Sequence, residues 1–357
     1  MMSETTSMVR DAVARLLKDR ASPEGTLACE ADGLDANLWD QFELLGLRGD
    51  ETGMDVGDKV AVLVEIGRAG ALIPFADSEM LGRALAQSAG LALGHATLTA
   101  VPRCLKAASV DDGHVQIDFA GAAVPWGRHA ERVLALCTLD GKQWVAGIEG
   151  AALEWVPGRN LAGEPRDTLE ASLVRVAGEQ LHPANSGVDS DLLESIGALC
   201  RCASTVGALE SAMHLSVQYA QDRQQFGKPI GHFQVIQSYL AEMTCEVCAA
   251  SMALEMAVMA ATSGASWEEV AVAKVRAAQA ANIVAKLAHQ VHGAIGMTQE
   301  YSLQIWTRRL WSWREEYGNE MHWSRLLGNR VIAAGGDAFW PGLSDARMST
   351  SGVEGVV

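Results

Sequence analysis

The chain contains no uninterrupted apolar run of about 18 residues, so its sequence reads as having no membrane span. It has no GxGxxG following a strand pattern and no Walker-type phosphate loop. Both common glycine-rich nucleotide cradles are therefore absent. Only His182 of the nine histidines has a glutamate three residues before it, Glu179, and that single pair falls in the strand-patterned region, so the inward-facing Glu-x-x-His on each of two helices that a di-iron bundle requires is absent. Positive charge is short: 28 Lys and Arg against 44 Asp and Glu give a formal net charge of −16. That balance argues against nucleic-acid or anionic-membrane partners, which need clustered cations, but it leaves room for one local basic pocket. Cysteine is sparse and odd in number, seven in all, so no disulfide framework is expected and a reducing, cytoplasmic setting fits. The close pairs Cys200/Cys202 and Cys245/Cys248 could be a zinc or redox site. Both fall in long helical patterns, where small thiols commonly serve as core residues, and core placement is the expectation for both. No period of 20–50 residues repeats, which excludes a solenoid.

What is present is a chain of 357 residues, 49% hydrophobic and 20% charged, enough for two or three domains. Residues 1–105 are mostly helical in pattern, beginning with an amphipathic segment that lacks the apolar stretch of a cleavable leader. A helix around Lys59–Ala69 runs into a break at Gly70–Pro74. Residues 106–187 alternate instead, at Val115–Phe119, Arg132–Leu136 and Leu173–Val176, with turn residues such as Asp140-Gly141 between them; this is the strand signal. Residues 188–340 return to long helices. Asp191–Asp222 lacks proline, a second helix follows Pro229 to about Thr262, and a third opens on a Ser266/Glu269 capping box and stops at Gly293. A fourth starts near Thr298, and residues 341–357 read as a flexible tail. The fold class is mainly α with a small β-domain: an N-terminal helical domain, a middle β-barrel or sandwich, and a C-terminal four-helix bundle.

The most informative stretch runs from Tyr219 to Met243. It is a helix end, a tight glycine turn and a new helix after Pro229. Arg223 stands at the turn beside Gln225 and Phe226. A guanidinium presents a rigid fork suited to pyrophosphate, and a fresh helix N-terminus offers free amides. A surface arginine and a core phenylalanine at an ordinary helix–helix turn would give the same pattern.

Arg223-Gln-Gln-Phe-Gly, followed by Phe233-Gln and Leu240-Ala-Glu-Met, resembles the signature of the acyl-CoA dehydrogenase family. Gln290-Val-His-Gly-Ala-Ile-Gly-Met-Thr-Gln-Glu300, with Arg308-Arg309 after it, resembles the family's second motif. Leu44-Leu-Gly-Leu47 and Glu65-Ile-Gly-Arg-Ala-Gly-Ala71 are also similar to family sequence, and the likeness spans residues 1 to about 335. The resemblance implies FAD chemistry on an acyl-CoA substrate. A carboxylate base removes the α-proton, the β-hydrogen leaves as hydride, and electrons pass to an electron-transfer flavoprotein. By the same carry-over, Arg223 binds pyrophosphate on a neighbouring subunit's FAD with Gln225 beside it. Phe226 and Phe233 pack near the adenine, and Gln290 and Gly293 approach the same cofactor. Ala294 replaces the second glycine of the family pair.

The sequence departs from the family in three places. Thr97–Cys104 stands where a Thr-Glu-Pro-x-Ala-Gly-Ser-Asp-like loop contacts the flavin ring, and Val124-Pro-Trp-Gly-Arg-His129 replaces a Trp-Ile-Thr-Asn-like strand. Gly318, in Tyr317-Gly-Asn-Glu320, occupies one position of the family's base, and Gly197 occupies the other. Glu194, Glu315, Glu316 and Glu320 are the nearby acids, with Glu316 and Glu320 the candidates. The N-terminal region also lacks the loop that usually follows Leu-Gly-Leu. These reductions resemble the partner subunits of heterotetrameric acyl-CoA dehydrogenases acting on steroid-derived thioesters. A second acyl-CoA dehydrogenase-like subunit then carries the base in an α2β2 complex. A self-sufficient homo-oligomer with a relocated glutamate, or a flavin-free scaffold, are the competing readings.

Overall fold

The structure, a computed structural model, describes residues 3–110, 113–262 and 267–335. Its helices are α1 (Glu4–Arg20), α2 (Pro23–Cys29), α3 (Ala36–Leu44), α4 (Val56–Ala69), α5 (Arg83–Ser88), α6 (Ser190–Asp222), α7 (Gln234–Thr262), α8 (Trp267–His292), α9 (Leu303–Trp313) and α10 (Glu320–Ala334). The strands are β1 (Leu98–Ala100), β2 (Leu105–Val110), β3 (His114–Asp118), β4 (Val124–Pro125), β5 (Arg132–Leu139), β6 (Lys142–Glu149), β7 (Trp155–Val156), β8 (Arg166–Leu169), β9 (Leu173–Ala177), β10 (Leu181–Pro183), β11 (Gln224–Gln225) and β12 (Lys228–Pro229).

Two compact units emerge. One gathers Met1–Leu27, Asp55–Ala71 and Ala198–Val357; the other gathers Ala28–Met54 and Leu72–Gly197. The expected N-terminal domain 1–105 is therefore divided between them, and the sheet already begins at Leu98, ahead of residue 106. The reason is where each helix finds apolar cover. α1 packs on α4, and α4 on α7. Thr6 Oγ1 donates to Asp58 Oδ1 at 2.7 Å, and Asp58 closes a reciprocal capping box with Asp55 at the start of α4. α4 and α6 cross closely enough that a Cβ at Gly67 would overlap the Ser204 carbonyl, and one at Gly207 would overlap that of Val64. α8 lies against α7, α9 and α10 and buries alanines such as Ala277, Ala281 and Ala288, whose small side chains permit close packing.

In the second unit a mostly antiparallel sheet runs β10-β6-β5-β2-β3-β9, with β1 pairing β5 in parallel. Asp140 and Gly141, both at positive φ, make the two-residue hairpin between β5 and β6 that their sequence predicts. Val133, Ala135 and Cys137 of β5 face a core shared with Ile117, Ala146 and Val176. A smaller sheet runs β4-β8-β7.

The long helices fall where the sequence places them, except that α9 begins at Leu303 and not near Thr298, because a 3₁₀ turn occupies Gly293–Met297. The proposed N-cap Ser266 and the tail 341–357 lie outside the described residues. α6 and α7 are each long and apolar enough, by length and mean hydropathy, to cross a membrane. α6 is mostly buried within the protein, whereas α7 turns one side outward. Cys200 and Cys202 are buried as expected, but Cys245 and Cys248 are exposed. Their i, i+3 spacing puts both thiols on one helical face, and on α7 that face points away from the core.

Candidate functional site

One end of the helical unit gathers the motif residues. α6 ends as the Arg223 amide donates to the Tyr219 carbonyl at 2.9 Å. The chain then forms a two-stranded hairpin in which Gln224 pairs Pro229 and Gln225 pairs Lys228. Its tip is Phe226 at φ 50° and Gly227 at φ 77°. Glycine accepts that geometry, but a bulky phenylalanine there is strained by about 1 kcal/mol or more. Phe226 is also 92% exposed. The Ile230 amide donates to the Arg223 carbonyl at 2.8 Å, and Ile230 is buried beside Ala220 and Val291. Phe226 and Phe233 meet edge to face with centroids 6.1 Å apart, and Lys228 Nζ lies 4.6 Å from the Phe233 centroid. Arg223 and Gln225 are exposed.

Val291 carries the second motif to the same place, since it packs with Ile230. Gln290 is exposed. Gly293 takes φ 64°, with open space where a Cβ would stand. Ala294 keeps an ordinary negative φ, so the missing second glycine costs this turn no strain. Behind these residues the His292 imidazole stacks on Tyr219 with centroids 4.6 Å apart, and Tyr301 closes on His292 at 5.0 Å. Burial holds His292 and His289 below the ordinary histidine range. Burial also raises Tyr301, with Tyr219 and Asp222 adding to it. Little in the sequence marks this ring cluster: an aromatic one turn before Arg223 and another after the second motif are its trace.

Glu315, Glu316 and Glu320 lie elsewhere in the helical unit and are engaged. Glu316 forms an ion pair with Arg201, Oε2 lying 2.8 Å from Nε. Glu320, at the start of α10, accepts from Gln279 Nε2 at 3.1 Å, and Glu315 is exposed and pairs with Arg314. Glu194 sits half-buried in the first turns of α6. Buried Lys274 donates to the Trp313 and Arg314 carbonyls at 2.8 and 3.1 Å, satisfying the end of α9. Burial lowers its pKa to about 8 and raises that of Cys202 to about 12. Arg201 is a lone charge in an apolar helical run, the one sequence signal it carries, whereas Lys274 has Arg276 two residues on and nothing in the sequence marks it.

In the second unit, the segment standing where a flavin-flanking strand was expected turns its side chains inward. Trp126, at φ 55°, is buried and donates from Nε1 to buried Asp77 at 3.0 Å. Arg128 pairs with buried Asp167. Arg128 and His129 also reach the Asp32 carbonyl, at 3.1 and 3.0 Å. Burial, then Arg128, depresses the His129 pKa. Thr97–Cys104 holds the buried strand β1.

An exposed guanidinium, two aromatic faces and a glycine turn under open space fit the adenosine-pyrophosphate half of FAD. The Trp126–His129 segment offers no comparable free donors to the ring half, because each polar group described above is already satisfied inside the chain.

Residues 195–325 match the family described as acyl-CoA dehydrogenase, C-terminal domain. The acyl-CoA dehydrogenase IpdE2 of Mycolicibacterium smegmatis is 28% identical over 319 residues, covering 86% of this chain and 93% of that protein. Among solved structures, the ChsE4–ChsE5 complex from Mycobacterium tuberculosis has a chain similar at TM-score 0.84 and 21% identity, covering 94% of this chain and 99% of its own. A Tcur3481–Tcur3483 steroid ACAD variant is similar at TM-score 0.80 and 21% identity, covering 96% and 99%. Likeness at that identity shows the shared fold.

Proposed function

The chain belongs to the acyl-CoA dehydrogenase family, and we propose that it serves there as the partner subunit of an FAD-dependent α,β-desaturase, completing the cofactor site of a second, catalytic subunit. The observation that carries this reading is the hairpin: a strained, almost fully exposed Phe226 beside an exposed Arg223. Strain of that kind persists where something outside the chain uses it. Arg223 holds the pyrophosphate by a charge-assisted fork, Phe226 and Phe233 flank the adenine, and Gln290 and Gly293 bring polar atoms and backbone alongside. Bound FAD supplies the hydride acceptor.

The base belongs to the other subunit in this reading. Glu316 is held by Arg201 and Glu320 by Gln279, so both are committed within the chain. The outward face of α7, with exposed Val235, Met252, Met256 and Met259, is assigned to that subunit and not to lipid. Met252, Met256 and Met259, spaced i, i+4 and i+7, share one side of the helix, and an exposed apolar patch is characteristic of protein interfaces. The assembly is an α2β2 heterotetramer passing electrons to an electron-transfer flavoprotein. Its substrate is an acyl-CoA of steroid-derived type, in keeping with the similarity to the steroid ACAD fold. The seven scattered cysteines, odd in number, support a reducing, cytoplasmic setting.

The test is expression of the chain alone and together with a second acyl-CoA dehydrogenase-like chain, followed by flavin absorbance and mass after gel filtration. Yellow colour only in the mixed complex is expected. A stable yellow homo-oligomer with one FAD per chain overturns the proposal.

A further inference from the structure

We propose that His292 is a positioning residue for the cofactor contact: clamped between Tyr219 and Tyr301, it locks the Arg223 hairpin to the Gln290–Gly293 turn so that both meet one dinucleotide. The inference rests on the reading that this hairpin completes an FAD site, and it names the part that sets the site's geometry.

The two segments are far apart in sequence and leave different helices, α6 and α8. Each is joined directly to the ring cluster. Tyr219 lies one turn before Arg223, and its carbonyl accepts the Arg223 amide at 2.9 Å, so a shift of Tyr219 moves the arginine. His292 is the last residue of α8, with Gly293 at φ 64° immediately after it. The turn beyond folds back tightly, since a Cβ at Gly296 would stand 2.8 Å from the His292 Cβ. Face-to-face stacking of His292 on Tyr219, at 4.6 Å and 28°, thus fixes one segment against the other. Tyr301 covers the pair, 5.0 Å from His292 and 6.0 Å from Tyr219. Aromatic pairs prefer such defined geometries over loose contact.

The arrangement suits a neutral ring. His292 is 3% exposed, and its Nδ1–H donates to the Ala288 carbonyl at 2.8 Å. The titratable groups facing the cluster are Tyr219 and Asp222 from α6, His289 from α8, and Tyr301 from the segment before α9. Asp222 is the one carboxylate in this set and acts on Tyr301. Burial first, and His289 further, oppose a second proton on His292, while the Ala288 and Leu215 carbonyls favour it. Acid therefore places an ill-solvated charge between two phenol rings and loosens the clamp. The effect begins below the ordinary histidine value of about 6.5.

The experiment measures FAD affinity of the purified mixed complex by flavin fluorescence at pH 7.5 and 5.5, with circular dichroism of the same samples. His292→Leu is expected to weaken FAD about tenfold at pH 7.5, the upper range for losing an aromatic pair. The parent is expected to weaken from pH 7.5 to 5.5, and His292→Phe, which stacks but cannot protonate, is expected to lose that dependence. Tyr219→Leu stands in if His292→Leu does not fold. Arg223→Ala is run beside them: undiminished FAD in that variant sinks the underlying site reading. If Arg223→Ala loses FAD while His292→Phe keeps the parental pH profile, or while His292→Leu and Tyr219→Leu bind as the parent does, the positioning role is overturned.

Discussion

Arg201 in α6 forms an ion pair with Glu316, its Nε lying 2.8 Å from Glu316 Oε2, with its side chain 3% exposed and that of Glu316 19% exposed. The guanidinium carbon also lies 6.0 and 5.9 Å from the Trp313 and Tyr317 ring centroids. This pair ties α6 to the segment after α9 and engages one of the two candidate bases. Glu316→Gln should therefore cost stability, about 3 kcal/mol, because a buried guanidinium loses its counter-charge. Turnover of the mixed complex should stay within about tenfold, since loss of a general base costs roughly 100-fold or more. Urea unfolding and steady-state kinetics on the same variant separate the two effects. A 100-fold loss of turnover with FAD retained would return catalysis to this chain.

Arg223→Ala should release FAD from the complex while leaving the fold intact. A hydrogen bond to a charged group is worth about 1.5–3 kcal/mol, or roughly 10- to 150-fold in affinity. Arg223→Lys should recover part of it, as a point charge does not reproduce the fork. The side chain is exposed, so thermal stability of the isolated chain should hardly change. Full flavin retention after gel filtration would refute the role.

Lys274 predicts a pH effect of definite sign. Its ordinary value is 10.5, and burial brings it to about 8 in the fold. Between those values the unfolded chain binds the proton and the folded chain has released it, so stability rises with pH across the window. Relative to Lys274→Met, the parent should gain about 1 kcal/mol between pH 8 and 9. That interval lies below the ordinary cysteine value of 9.0, where unfolded thiols begin to oppose the trend. Parallel denaturant curves at the two pH values check it, and a parent that loses stability against the variant contradicts it.

The α4–α6 crossing rests on two glycines. Gly67→Ala and Gly207→Ala each drive a methyl into a facing backbone carbonyl, which no side-chain movement relieves. Each should destabilise by about 3 kcal/mol or more. Gly227→Asn, at the solvent-exposed hairpin tip, is the control and should be mild, because asparagine tolerates positive φ. Equal effects at all three positions would mean the helices do not cross so closely.

The cysteines report on the outward face of α7. In the isolated chain a thiol reagent should modify Cys245 and Cys248 first, with Cys137, Cys200 and Cys202 resisting. Burial excludes the reagent from these three and pushes the Cys137 and Cys202 thiols up to about 12, far from thiolate. In the mixed complex Cys245 and Cys248 should become protected. Peptide mapping after brief alkylation reads both states, and unchanged labelling in the complex would remove the partner from this face.

Much of the fold is local and was legible in the chain itself. Proline-free apolar periodicity marks α6, Gly70 and Gly293 stop α4 and α8 by accepting φ of 67° and 64°, and Asp140-Gly141 encodes its own hairpin. Arg223, Phe226 and Gln290 could be picked out because a motif keeps its residue types wherever it folds, and the structure brings their segments together where Val291 packs with Ile230. What the sequence could not decide depends on contacts between distant segments. Periodicity marks a face as apolar without saying what covers it, so Cys245 and Cys248 read as core although α7 turns them outward. The division of residues 1–105 between two units follows from which surfaces α1 and α4 found to bury against. Only the tertiary structure brought Arg201 to Glu316 and His292 to Tyr219, because pairing needs proximity in space, which residue identity alone does not supply.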